Sequence, residues 1–230
     1  EFEKSAQLRD KLRSPTAGVR EVALAHAEAH GKCAAALAEV VARLLDDDSP
    51  AVQFQAVSTF RAIGAGASDA VPVLLGLRAR DDASPMLIAR STLLLPVVGD
   101  AAKVAVPVLK ADLEKPQLRK DALEALLSLA PDDSEVVGAL VEAVFSGDYG
   151  LSQVGHRFVK RCSVSTLNRL AKEAMLLAKS QSAEERLAAI QVIPVLIEAS
   201  VEGLVPTILD GISRLGTREV FSAVRAASML

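Results

Sequence analysis

The chain has 230 residues, half of them apolar but only 3% aromatic, with 26 basic against 29 acidic side chains and a net charge of −3. That balance argues against a strong electrostatic footprint for nucleic acid or an anionic membrane surface. With no Trp and one Tyr, the core has to be built from Ala, Val, Leu and Ile, which suits thin layers of closely packed helices.

The elements follow a clock. Ser14-Pro15, Ser49-Pro50 and Ser84-Pro85 recur every 35 residues, and Lys115-Pro116 follows 31 later. Ala70-Val71-Pro72-Val73-Leu74 and Ala105-Val106-Pro107-Val108-Leu109 repeat the 35-residue interval, as do Gly64 and Gly99. A fixed period of this length marks a repeat architecture. In chain order, Gln7–Arg13 reads as the second helix of an incomplete first repeat. Helix pairs are then predicted over 15–30 with 32–45, 50–63 with 68–80, 85–98 with 101–114, 117–129 with 134–145, 151–162 with 165–179 and 183–197 with 201–215. A last half-repeat follows over 217–230. Within each pair the apolar residues keep a helical spacing; Val52, Ala56, Val57, Phe60 and Ile63 are one such face. Ser49 is a suitable N-cap with Pro50 at the first helical position. Gly64 breaks the first helix, and Ser68 or Asp69 starts its partner.

These marks resemble the HEAT-repeat family, and within it the bacterial repeats related to phycobilisome lyases. Val19-Arg20 with Ala23, Leu118-Arg119 with Ala122, and Arg186 with Ala189 carry the first half of that pattern. Gly64 with Ala70–Leu74 and Gly99 with Ala105–Leu109 carry the second, with Val205-Pro206 a fainter echo. The chain departs from the pattern at Gln53, where Arg is usual, and through 148–179. The resemblance implies an all-α fold, a right-handed α-solenoid of about six helix pairs in a single domain over 1–230. Val220, Phe221, Val224, Met229 and Leu230 of the last half-repeat are expected to be partly uncovered and the chain starts at Glu1-Phe2 rather than Met, so a piece of a longer protein is expected; an EcoRI cloning site encodes Glu-Phe.

Constellations for chemistry are few. His26, His30 and Cys33 have spacings that a metal could use on one continuous helix, but Gly31 is expected to end the helix before Cys33. His30 then reads as a partly buried packing residue in the slot of Ile63. The paired His-Glu motifs of HEAT-like iron hydroxylases are absent. Gly150–Gly155 lacks the Gly-x-Ser-x-Gly spacing of a nucleophile elbow and reads as a helix start. Asp47-Asp48, Asp81-Asp82 and Asp132-Asp133 fall at repeat turns, where they can cap helices. No catalytic residue, metal or cofactor is assigned. Cys33 and Cys162 lie too many repeats apart to bridge, which favours a cytoplasmic protein.

Two regions are candidate binding sites. His156, Arg157, Lys160 and Arg161 form the densest basic cluster, with Arg169 and Lys172 on the next helix and Tyr149 in the adjoining turn. Arg157, Lys160 and Arg161 are expected to share a helical face. A solvated face is the simpler explanation; an acidic-partner site is the functional one. The second region is the concave side that second helices present in the family, where Glu39, Arg43, Arg78, Arg80, Lys110, Asp112, Glu142, Asp210 and Arg214 project. Mixed signs there suit a protein or peptide partner. The function expected is a non-catalytic interaction scaffold, with no membrane or small-molecule partner and nucleic acid disfavoured. The alternative implied by the resemblance is a bilin-lyase-like subunit, which would need a pocket with aromatic groups that this chain scarcely has.

Overall fold

The computed structural model describes residues 2–177 and 180–182, with isolated positions at 185, 189, 192 and 196, and no side chain before Ala6. The predicted pair over 201–215, the final half-repeat and the Val205-Pro206 echo lie outside the described residues. The chain divides into two compact units, Glu1–Leu129 and Ala130–Leu230.

The first unit is built from α1 (Phe2–Leu12), α2 (Ala17–His30), α3 (Ala38–Arg43), α4 (Pro50–Ile63), α5 (Val71–Arg78), α6 (Pro85–Val98), α7 (Val106–Leu113) and α8 (Pro116–Leu129). Every first helix (α2, α4, α6, α8) is 14 residues long. First helices pack on first helices, α2 on α4, α4 on α6 and α6 on α8. Each second helix packs on the first helix of the next pair: α1 on α2, α3 on α4, α5 on α6, α7 on α8. Packing therefore links neighbouring repeats, which is the organisation of an all-α helical-repeat stack. The second unit holds α9 (Ser134–Val144), α10 (Tyr149–Val159) and α11 (Val164–Leu177), with α10 and α11 both against α9. Ala189, Val192 and Leu196, at helical spacing, are buried as well.

The periodic apolar positions form the core. Ala23, Ala56, Ser91 and Ala122 occupy the same turn of the four first helices and are all at most 1% exposed; small side chains there let the helices approach closely. Ala27, Phe60, Leu95 and Leu126 line the interface one turn later, all buried. Val41, Leu74 and Leu109 do the same in successive second helices. Thr59 bonds across the stack, its hydroxyl donating to the Leu24 carbonyl at 3.1 Å.

The intra-repeat connections differ from the expectation. Gly31, Gly64 and Gly99 end their helices with φ of 52°, 62° and 78°. Each is then followed not by an α-helix but by a tight 3₁₀ turn (Gly31–Leu37, Gly64–Ala70, Gly99–Ala105). The second helices consequently start three or more residues later than predicted, at Ala38, Val71 and Val106. Successive turns also stack on one another. Pro50–Arg78 and Pro85–Leu113, the stretches long and apolar enough by composition to cross a membrane, are each interrupted in this way.

The register of the first pair follows Gly31 rather than Pro15. Its first helix begins at Ala17 behind Thr16, whereas the next two begin at Pro50 and Pro85 themselves. The capping expectations divide similarly. Ser84 caps α6, its hydroxyl accepting the Leu87 N–H at 3.1 Å. Ser49 stands at the N-cap of α4 but its side chain makes no capping bond. Asp133 caps α9 as expected, accepting the N–H groups of Glu135 and Val136. Asp47 and Asp82 instead hold arginines.

Candidate functional site

Three charged contacts latch the first unit together. Arg20, the arginine of the Val-Arg mark, projects from α2 and makes a bidentate ion pair with Asp47, both bonds 2.7 Å, while its other nitrogen donates to the Ser14 carbonyl. The hydrogen-bonded carboxylate holds the Arg20 guanidinium more firmly protonated than usual. Gln53 takes the equivalent place in α4 and keeps part of this role, its amide donating to the Asp47 carbonyl at 2.6 Å and accepting from Arg90. Arg80, beyond the end of α5, bridges Asp46 of the preceding repeat and Asp82. Its two carboxylate partners raise the Arg80 pKa, and Arg80 in turn lowers that of Asp82.

The third latch corrects an expectation. Arg78 and Asp112 do not project from an open surface. They pair with each other between α5 and α7, with side chains only 5% and 4% exposed. Lys115 reaches the second Asp112 oxygen at 2.9 Å. Asp112 falls where Leu77 stands one repeat earlier, so the period alone reads it as part of an ordinary face; only packing shows that it is buried. Arg78 and Arg80 are thus committed to neighbouring repeats, and Lys110 is half-buried on α7 with an interaction of its own.

The basic cluster of the second unit is also rearranged. α10 ends at Val159, so Lys160 sits at its C-cap and Arg161 lies in the following turn. There the Arg161 guanidinium stands 5.8 Å from the centre of the Phe158 ring. Of the three residues expected to share a helical face, only Arg157 lies within the helix itself. Tyr149 is 78% exposed at the opposite end of α10, about 15 Å away at the helical rise, so it does not join the basic groups. His156 is half-buried, with its Nε2 lacking any partner among the described residues. Burial pushes its pKa down, which favours the neutral imidazole and removes it from a cationic site. Arg169 and Lys172 are exposed on α11, but an Arg169 nitrogen lies 3.8 Å from where a Cβ on Gly138 of α9 would stand. Glu142 is exposed on α9. Asp210 and Arg214 lie outside the described residues.

His26, His30 and Cys33 are all exposed. His30 is therefore not the packing residue its alignment with buried Ile63 suggests. Among the described residues no group of three or more His, Cys, Asp or Glu side chains is placed to hold a metal. The Ser152 hydroxyl only donates to the Tyr149 carbonyl at 3.2 Å.

One cleft, of about 320 Å³, lies on the second-helix side of the first unit, between α1, the Gly31–Leu37 turn with α3, and the Gly64–Ala70 turn. Arg9 and Arg13 line it from α1 and the residue after it, Glu39 from α3, and Asp69 from the turn, over Ala36 and Val40. Arg9 donates to the Ala36 carbonyl, which fixes that wall. The neighbouring turns meet closely, since a Cβ on Gly66 would lie 3.1 Å from that of Ala35. Among the described residues, Arg13 and Glu39 have no side-chain partner, although both are exposed and face one cleft. Sequence reading put Glu39 on this side but missed Arg9, Arg13 and Asp69, because three separate elements must pack before they converge.

No family model matches this chain, and no curated protein does. Among solved structures it is similar to an archaeal HEAT-like repeats protein from Thermococcus onnurineus NA1, at 15% identity over 97% of this chain and 95% of that one, with a TM-score of 0.47. An engineered protein shows 17% identity over 96% of this chain and 77% of its own, again at 0.47. The complex of CpcE and CpcF of phycocyanin lyase from Nostoc sp. PCC7120 shows 14% identity, covering 98% of this chain and 94% of that one, at 0.38.

Proposed function

We propose that this chain is a non-catalytic scaffold that binds another protein, with the cleft on the second-helix side of the first unit as its docking point. The observation that carries this reading is a contrast between two groups of charged residues. Arg20, Arg78 and Arg80 are each spent on a carboxylate of a neighbouring repeat. Arg13 and Glu39 line an open cleft and are spent on nothing among the described residues. The latches fix repeat against repeat, so the surface is organised before a partner arrives and less ordering entropy is lost on binding. Complementary charges in the cleft would then set register and partner choice.

The test is affinity capture followed by cross-linking and mass spectrometry, comparing the parent chain with R13E/E39R and with R157E/K160E/R161E. The expected result is a protein retained by the parent and by the α10 triple variant, but not by R13E/E39R. A partner lost only in the triple variant would move the docking point to the end of α10. Retention of no protein above background would defeat the scaffold reading.

A further inference from the structure

The cleft's two walls carry opposite charge, and this constrains what can occupy it. Arg9 and Arg13 form one wall; Glu39 and Asp69 form the other. A nucleic acid or other uniformly charged polyion would meet repulsion from one wall. An occupant that satisfies both must carry an anion and a cation a short distance apart. Arg9 is already engaged by the Ala36 carbonyl, so Arg13 is the anion-facing group, and its planar fork matches a carboxylate in bidentate geometry. At about 320 Å³ the cleft is at the small end of ligand clefts, which run from about 300 to 1,000 Å³. It holds the side chains of a short segment and not a folded domain.

We infer that the cleft recognises an extended peptide segment of mixed charge, with an Asp or Glu side chain on Arg13 and a Lys or Arg side chain a few residues away on Glu39 and Asp69. This rests on the scaffold reading and specifies the partner's chemistry. A free amino-acid zwitterion presents the same pair of charges, so the experiment has to separate the two sources.

A phage-displayed random peptide library is panned on the full chain, and the enriched peptides are titrated against the parent, R13E and E39K. Arg13 is exposed and has no side-chain partner among the described residues, so R13E is expected to fold, as circular dichroism will show. The expected result is enrichment of peptides pairing an acidic with a basic residue, bound about tenfold or more weakly by R13E. Exchanging the peptide's acidic residue for lysine should recover binding to R13E. Excess free glutamate should not compete. The inference is overturned if no peptide is enriched, if the enriched peptides lack the charge pair, if R13E binds them equally, or if free glutamate displaces them. If the peptides fail while a protein partner is still captured by the parent, the scaffold survives and only this cleft assignment falls. If no protein partner is captured, the scaffold reading itself falls.

Discussion

Replacing Asp112 by alanine tests whether the repeats are held in register by buried charge. Arg78 and Asp112 are nearly inaccessible, at 5% and 4% side-chain exposure. The Arg78 Nε is already buried without a partner, so Asp112 is the main compensation for the guanidinium charge. Removing one member of a buried pair costs about 3–5 kcal/mol, because the survivor is left desolvated and unpaired. Lys115 is 54% exposed and simply returns to water, so it adds little. For a chain of this size the loss corresponds to about 10 °C in melting temperature. Because repeats touch only their neighbours, amide hydrogen exchange should speed up first in α5 to α8. The decisive control is R78M/D112L, which removes both charges and keeps volume; it should recover most of the loss. D46A, which breaks the exposed Arg80 contact, should leave the melt unchanged. A D112A melt within about 2 °C of the parent, or a double variant as damaged as D112A, would refute the reasoning.

Three further outcomes follow from the packing. A Cβ at Gly155 would stand 2.8 Å from a Val144 methyl and 2.9 Å from the Val144 backbone nitrogen; the clash should outweigh alanine's better helix propensity and destabilise the second unit by about 1–3 kcal/mol in a chemical melt. Gly64 and Gly76 should respond with opposite signs, though neither has an atom within 4 Å of its added Cβ: G64A forces an L-residue to φ 62° and ψ −136° and costs about 1–3 kcal/mol, whereas G76A, inside α5, gains about 0.5–1 kcal/mol. The Cys162 thiol is pushed up to about 11 by burial and by Asp132, leaving about a thousandth as thiolate at pH 8; Cys33 is exposed. A thiol reagent should therefore label Cys33 promptly and the half-buried Cys162 much more slowly, and equal rates would contradict the second unit's packing.

The sequence alone determined the helical content, the two-helix period and most of the first-helix limits. These depend on short-range rules: an apolar residue every three or four positions, Pro at Pro50, Pro85 and Pro116, and a glycine just after α2, α4 and α6. It also placed the small residues Ala23, Ala56 and Ala122, since close packing of like helices repeats with the period. Packing decided the rest. Pro15 keeps the 35-residue spacing, yet its helix starts two residues later, because the stack aligns on Gly31 and the buried face that precedes it. The 3₁₀ turns were not legible, since they depend on one turn lying against the next. Nor did side-chain type reveal which arginines are committed: Arg20, Arg78 and Arg80 are quenched by carboxylates 27, 34 and 34 residues away, and Arg13 is not. That difference depends on which distant carboxylate the folded chain brings within reach, and this fixes both the latches and the cleft.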